Sequence, residues 1–204
     1  MLQKTTAIEH PAIDDEALMR QELSEHRAAF EATAAMLRAP FLETLRILER
    51  GLRRGGKLLL FGNGGSAADA QHIATELMVR YQTNRAAISA IALTTDSSAV
   101  TACGNDIGFE AIFERQVAGL GRVNDIAFGI STSGKSANVL RGLRQARAMG
   151  LQTVGLTGGV GGDMPSTCDA LIVVPSVLTA RIQEMHITIA HMLCRALEQR
   201  LGLV

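Results

Sequence analysis

The chain has 204 residues, 47% of them hydrophobic and 20% charged, which is enough for one globular domain with a substantial core. Lys and Arg number 20 and so do Asp and Glu; without a basic surplus, neither nucleic acid nor an anionic membrane surface is an expected partner, and any phosphate must be held locally. Aromatic residues make up 3% and Trp is absent, so a small ligand is expected to be gripped by hydrogen bonds rather than by stacking.

Asp14 and Asp15 are candidate N-caps for a helix running towards Ala39, with Pro40 marking a break before a second helix that ends near Gly55-Gly56. On the first helix Leu23, Phe30 and Leu37 recur at seven-residue spacing, the seam of a helix that packs lengthwise on another. That seam serves either the chain's own core or a subunit interface. From Lys57 onward, apolar runs alternate with helical segments: Lys57–Phe61, Ile88–Thr94, Asp125–Ile130, Thr153–Thr157 and Leu171–Pro175. Near-continuous apolar strands separated by helices predict an α/β fold, a three-layer α/β/α sandwich with a five-stranded parallel sheet, doubly wound in the flavodoxin or Rossmann manner, plus the N-terminal helical pair.

Two of the runs lead into serine-rich loops, Gly62-Asn63-Gly64-Gly65-Ser66 and Ser131-Thr132-Ser133-Gly134-Lys135-Ser136. Each opens a helix, so glycine backbone, hydroxyl donors and helix N-terminal N–H groups converge on one point, as an anion site requires. Two such cradles suggest a phosphorylated, polyhydroxylated ligand. In a doubly wound sheet, ligands sit beyond the carboxyl ends of strands, where both loops fall. The helix after the first loop carries an apolar stripe, Ala70, Ile73, Ala74 and Leu77, and beside it a polar one, Asp69, His72, Glu76 and Arg80. His72 and Glu76 at i, i+4 can bind one metal or share a proton. The glycine-rich stretch from Gly158 to Asp163 reads as a mobile loop, an ordinary long turn or a cover for a site.

The last helix is expected from Thr179 to Leu201 and is apolar except at a few positions. Gln183 and His191, at i and i+8, lie roughly 80° apart around a helix of 3.6 residues per turn and can project from one side. Within so apolar a helix they need partners. His186 reads as a satisfied core histidine, and His10 and His26 as surface residues. Cys103, Cys168 and Cys194 are an odd number without a metal-type close pair, which fits reduced thiols, buried as fillers, in a cytoplasmic protein. The polar, acidic segment through Glu22 carries no export signal, and no apolar run is long enough to span a bilayer.

Two common motifs fit poorly. Gly62-x-Gly64-x-x-Ala67 matches a loose dinucleotide fingerprint, but the acidic residue due about twenty residues later is missing, since Asp96 ends a strand too far downstream. Gly129-x-x-x-x-Gly134-Lys135-Ser136 matches a nucleotide-triphosphate loop on paper, but Gly129 falls inside a strand-like run.

Taken together, the first glycine loop with the helix through Ala70-Gln71-His72 and Glu76, the segment Gly104-Asn105-Asp106 with Phe109, Ile130 through Val139, and Arg181-Ile182-Gln183-Glu184 resemble the sugar isomerase (SIS) domain family, and within it the phosphoheptose isomerases. The resemblance covers nearly the whole chain. It implies a single SIS domain over residues 1–204, with 14–55 as a helical extension, and an enzyme that converts sedoheptulose 7-phosphate to D-glycero-D-manno-heptose 7-phosphate through an enediol, in the formation of ADP-heptose and lipopolysaccharide core precursors. It implies one zinc ion per subunit on His72, Glu76, Gln183 and His191, with Glu76 and His191 as the catalytic pair. Asn63, Gly64, Gly65, Ser66, Glu76, Arg80, Asn105, Asp106, Ser131, Thr132, Ser133, Ser136 and Gln183 match substrate-binding positions. Relatives of this fold are tetrameric, which implies a homotetramer. The same fold also carries regulators of the DnaA initiator-associating type, whose acidic and C-terminal histidine positions are typically replaced, and isomerases of other sugar phosphates; the presence of Glu76 and His191 favours the enzyme.

Overall fold

The computed structural model describes residues 14–204; His10 lies outside them. Five strands, β1 (Leu58–Gly62), β2 (Ala90–Ala92), β3 (Ile126–Ser131), β4 (Gln152–Gly158) and β5 (Ala170–Val174), form one sheet. Their order is β2-β1-β3-β4-β5 and every neighbouring pair is parallel. Each of the five apolar runs became a strand; β1 and β3, in the middle of the sheet, are buried on both faces, while β2 and β5 at its edges are partly exposed on one. In β1, Leu58 and Leu60 pack towards one helical layer and Leu59 and Phe61 towards the other. β2 is shorter than its run, at the sheet edge, with Ile91 facing out.

The first layer holds α2 (Arg38–Arg53), α3 (Gly65–Met78) and α7 (Thr179–Arg200); the second holds α5 (Ile112–Leu120) and α6 (Ala137–Ala148). This is the three-layer sandwich that the sequence predicts. Among the described residues no helix is long and apolar enough to cross a membrane. Because the chain leaves β1 for β2 on one side and then crosses to β3 on the other, the carboxyl ends of β1 and β3 flank the switch point of the sheet. Both serine loops start there. At the opposite end buried Asp125 accepts from the backbone N–H groups of Lys57 (2.9 Å) and Arg122 (2.8 Å) and pairs with Lys57 Nζ, locking β1 to β3 in register.

α1 (Asp15–Met36) begins as expected, with Asp14 Oδ1 accepting from Ala17 N–H at 3.0 Å. The break comes at Leu37 rather than at Pro40, which sits in the first turn of α2. Proline is tolerated there because its missing N–H would have had no helical partner. The seam is divided: Leu37, at the end of α1, packs against the core, while Leu23 and Phe30 are 64% and 49% exposed and the buried residues of α1 are Ala29 and Thr33. What joins α1 to the body is α7. Buried Arg181 donates to the Glu22 carbonyl (2.7 Å) and to Glu184 (2.6 Å), and half-buried His26 pairs with Glu184 at 2.7 Å.

All three cysteines are free; Cys194 is buried and the others partly so. Burial pushes the Cys168 and Cys194 thiols up to about 12, far from thiolate chemistry. His186 is the buried core histidine, its Nε2 3.1 Å from the Thr157 carbonyl and its Nδ1 without a partner; burial lowers its pKa to about 4.

Candidate active site

The two serine loops are fastened to each other. Asn63 and Asn138, the latter buried in the first turn of α6, exchange side-chain amide hydrogen bonds of 2.8 and 2.9 Å. This reciprocal pair is possible because β1 and β3 are neighbours. In the second loop Ser131 Oγ and Ser136 Oγ lie 2.9 Å apart, and Ser133 Oγ accepts from the Lys135 N–H at 3.2 Å. Gly134 has φ +65°, and a Cβ there would lie 2.1 Å from the Gly161 carbonyl oxygen. The stretch Gly158 to Asp163 lies against this loop as a close-packed turn. Its glycines let it pack backbone against backbone on the serine loop, with Gly158 N–H donating to Thr132 O and Asp163 N–H to Gly134 O, each at 3.0 Å. Between them lies a crevice of about 270 Å³, lined by Thr132, Ser133, Lys135, Val160, Ser176 and Thr179 among others.

The second centre lies between α3 and α7. His72 and Glu76 are one turn apart on α3, with Glu76 Oε1 3.4 Å from His72 Nε2. His72 Nε2 and His191 Nε2 are 3.0 Å apart, so the two lone pairs must share a proton or a cation. Donor atoms of His72, Glu76 and His191 all lie within 4.8 Å of one another. Glu76 Oε2 is buried with no hydrogen-bond partner, an uncompensated acceptor that a cation would satisfy. Two imidazoles and a carboxylate suit a borderline divalent ion, so the residues fit a metal centre. One turn before His72, burial raises Asp69 to about 6, against the pull of His72 in the other direction.

The remaining candidates lie on other parts of the fold, and only some of them contact the residues above. Gln183 turns its amide onto the start of α3, where a Cβ on Gly65 would lie 2.3 Å from Gln183 Nε2. Ser66 is buried in the first turn of α3. Asn105 and Asp106 hydrogen-bond to each other at 2.7 Å at the exposed end of α4 (Ser97–Asp106), which Asp96 caps. Arg80 departs from expectation. α3 ends at Met78, so Arg80 lies past the helix and does not extend its polar face. The cation that closes this helix is Arg85, whose Nη2 donates to the Glu76 carbonyl and Nη1 to the Leu77 carbonyl, at 2.8 and 2.7 Å. Arg85 and its partner Glu198 carried no local signal, being 113 residues apart. Tyr81, whose ring centroid is 5.3 Å from that of His191, was equally silent; Asn138 stood within a motif but had no visible partner.

Comparisons with known proteins identify the family and the fold. The SIS domain family pattern matches residues 23–158. The chain is 53% identical to the phosphoheptose isomerase of Paramagnetospirillum magneticum over 178 residues, covering 87% of this chain and 93% of the relative. It is 50% identical to phosphoheptose isomerase 1 of Campylobacter jejuni over 182 residues, covering 89% and 97%. Among solved structures, a phosphoheptose isomerase from Neisseria gonorrhoeae superposes with a TM-score of 0.85 at 39% identity, covering 90% of this chain and 98% of the other. One from Francisella tularensis gives 0.88 at 35% identity, covering 92% and 100%.

Proposed function

The chain belongs to the SIS domain family and, within it, to the phosphoheptose isomerases, and we propose that His72, Glu76 and His191 form the centre at which it converts sedoheptulose 7-phosphate to D-glycero-D-manno-heptose 7-phosphate. The observation that carries this reading is the meeting, from two helices, of a carboxylate with an unpaired oxygen and two facing imidazoles. A DnaA-associating regulator has no use for that juxtaposition.

Sedoheptulose 7-phosphate carries a hydroxymethyl group at C1 and a carbonyl at C2. Taking a proton from C1 gives an enediol, and returning one to C2 gives the aldose. Glu76 takes the C1 proton, its carboxyl group exchanges with solvent during the lifetime of the enediol, and it returns a proton to C2. His191 moves the other proton from O1 to O2, so the reaction closes without any external oxidant or reductant. The two oxygens of Glu76 have different surroundings, one beside His72 and one buried and unpaired, which lets a single carboxylate face a cation and still hold a proton. Zinc held by His72, Glu76 and His191 with Gln183 as the fourth donor, one per subunit, would supply positive charge for the carbonyl and enediolate oxygens.

In the same reading the loop hydroxyls of Ser131, Thr132, Ser133 and Ser136 receive the phosphate, while Asn63, Gly64, Gly65, Ser66, Arg80, Asn105, Asp106 and Gln183 hold the sugar. The exposed seam of α1, Leu23 and Phe30 together with Leu18, Met19 and Met36, supports assembly as a homotetramer, with residues 14–55 as the helical extension of one SIS domain. The working compartment is the cytoplasm, where the product feeds heptose and lipopolysaccharide core synthesis. Turnover of five-, six- and seven-carbon ketose phosphates by protein of measured metal content tests the reading. The seven-carbon substrate should be preferred and chelation should suppress the rate; indifference to chain length would point to another sugar phosphate.

A further inference from the structure

Beyond Met78 the chain folds back on the helix it has just left, and a buried ion pair fixes that return. Arg85 and Glu198 side chains are 1% and 3% exposed, with Arg85 Nε donating to Glu198 Oε1 at 2.8 Å. The guanidinium also donates to the carbonyls of Glu76 (2.8 Å), Leu77 (2.7 Å) and Ala86 (3.0 Å), so four of its five N–H groups are spent on backbone and carboxylate. Glu198 Oε1 takes a further N–H, that of Tyr81, at 3.3 Å. The Tyr81 ring lies 5.3 Å from the His191 ring at an interplanar angle of 33°. On α7, Glu198 follows His191 by seven residues, two turns further along the same face.

A buried ion pair is a poor source of stability, because taking both charges out of water cancels most of their attraction. This one grips the carbonyl of the residue whose carboxylate does the chemistry, and through Tyr81 it backs the imidazole opposite. We propose that Arg85 and Glu198 are positioning residues for the isomerase site: they clamp the end of α3 to α7 in the register that sets Glu76 and His72 against His191. The proposal rests on the reading of that site as a catalytic metal centre.

The test replaces the pair by apolar side chains together, Arg85→Met with Glu198→Leu, so that no unpaired charge is left in the core. Fold is followed by circular dichroism, turnover of sedoheptulose 7-phosphate by kcat and KM, and zinc affinity by competition with a chromophoric chelator. The double variant should stay folded with KM within about twofold, while kcat and zinc affinity each fall about 10–100-fold, the range for residues that orient metal ligands. Glu198→Gln keeps an acceptor oxygen for Arg85 and Tyr81 but leaves the Arg85 charge unpaired, so it should be less stable yet retain most of the wild-type kcat and zinc affinity in its folded fraction. If the double variant does not fold, Arg85→Lys, which keeps the charge but not the fork, should show the same selective fall in kcat. Wild-type kcat in a folded variant, or a loss no greater than its unfolded fraction, overturns the clamp. Should the wild-type protein bind no divalent metal, the metal reading fails, and the split between kcat and KM still decides the clamp.

Discussion

The serine-loop cradle and the helix-borne histidine–glutamate centre are built on opposite plans. In the cradle, main-chain groups of two loops bind one another, and glycines stand where any side chain would collide. Its backbone is closely packed, although the Thr157 hydroxyl behind Gly134 is buried without a partner. Between α3 and α7 the arrangement depends on side chains from distant segments, and polar atoms there, Glu76 Oε2 and Asp69 Oδ2, are buried without partners. A site that binds a constant phosphate can afford rigidity, whereas one that must move protons keeps groups uncompensated until ligand arrives.

The contrast can be broken by substitution on either side. The largest effect belongs to the helix centre: Glu76→Gln and His191→Gln should fold normally by circular dichroism yet lose on the order of 10²–10⁴-fold in turnover. Wild-type turnover in either would remove that residue from the chemistry.

His186, on α7 against the Thr157 carbonyl, links the two regions and carries the next effect. Its folded pKa of about 4 lies below its ordinary value of 6.5, so as pH falls from 6.5 the unfolded chain takes the proton first. Stability is then lost between pH 6.5 and about 4, by roughly 3 kcal/mol at 1.36 kcal/mol per pKa unit. Asp69, raised to about 6 from 3.8, works the other way, because the folded chain takes that proton first as pH falls through 6; it is partly exposed, so its opposing effect is reduced by solvent. Urea unfolding across this window should show a shallower acid-side loss in His186→Gln than in wild type. Parallel curves would mean that His186 already titrates normally in the fold.

In the cradle, Gly134→Ala would place a Cβ 2.1 Å from the Gly161 oxygen at a φ of +65°. Strain on the order of 1–3 kcal/mol is expected, read as a lower denaturation midpoint. If stability and KM stayed put, the glycine stretch would not be the close-packed turn described above. The effect most confined to binding is expected from Ser133→Ala and Ser136→Ala, each removing one donor to a charged phosphate while the backbone N–H groups remain. Calorimetry with sedoheptulose 7-phosphate should show affinity weaker by about 1.5–3 kcal/mol, and kcat little changed. Unaltered affinity would move the phosphate elsewhere.

How much could be read in advance follows from the same division. Strands, serine loops and the i, i+4 pair His72 and Glu76 are local patterns, and all were visible in the sequence, as was the capping role of Asp14. Pro40 misled because proline both ends helices and starts them, and only the position of the turn at Leu37 distinguishes the two. Gly158 to Asp163 stayed open in the sequence because glycine permits mobility and close packing alike; the neighbour it packs on, Gly134, lies in another loop. Arg80 and Arg85 differ in that one outlasts its helix and the other returns to it, which depends on a carboxylate at Glu198. That His72 meets His191 is legible only through the resemblance, because no local rule connects residues 119 positions apart.

The central claim is proton transfer through an enediol at Glu76, and isomerisation in deuterium oxide tests it most directly. Wild-type protein, cycling sedoheptulose 7-phosphate repeatedly, should place deuterium at C2 of the aldose and C1 of the ketose, seen as loss of those proton resonances, and Glu76→Gln should exchange neither at a comparable rate. Interconversion that leaves both positions fully protiated after many turnovers, or exchange that survives unchanged in Glu76→Gln, would contradict the account.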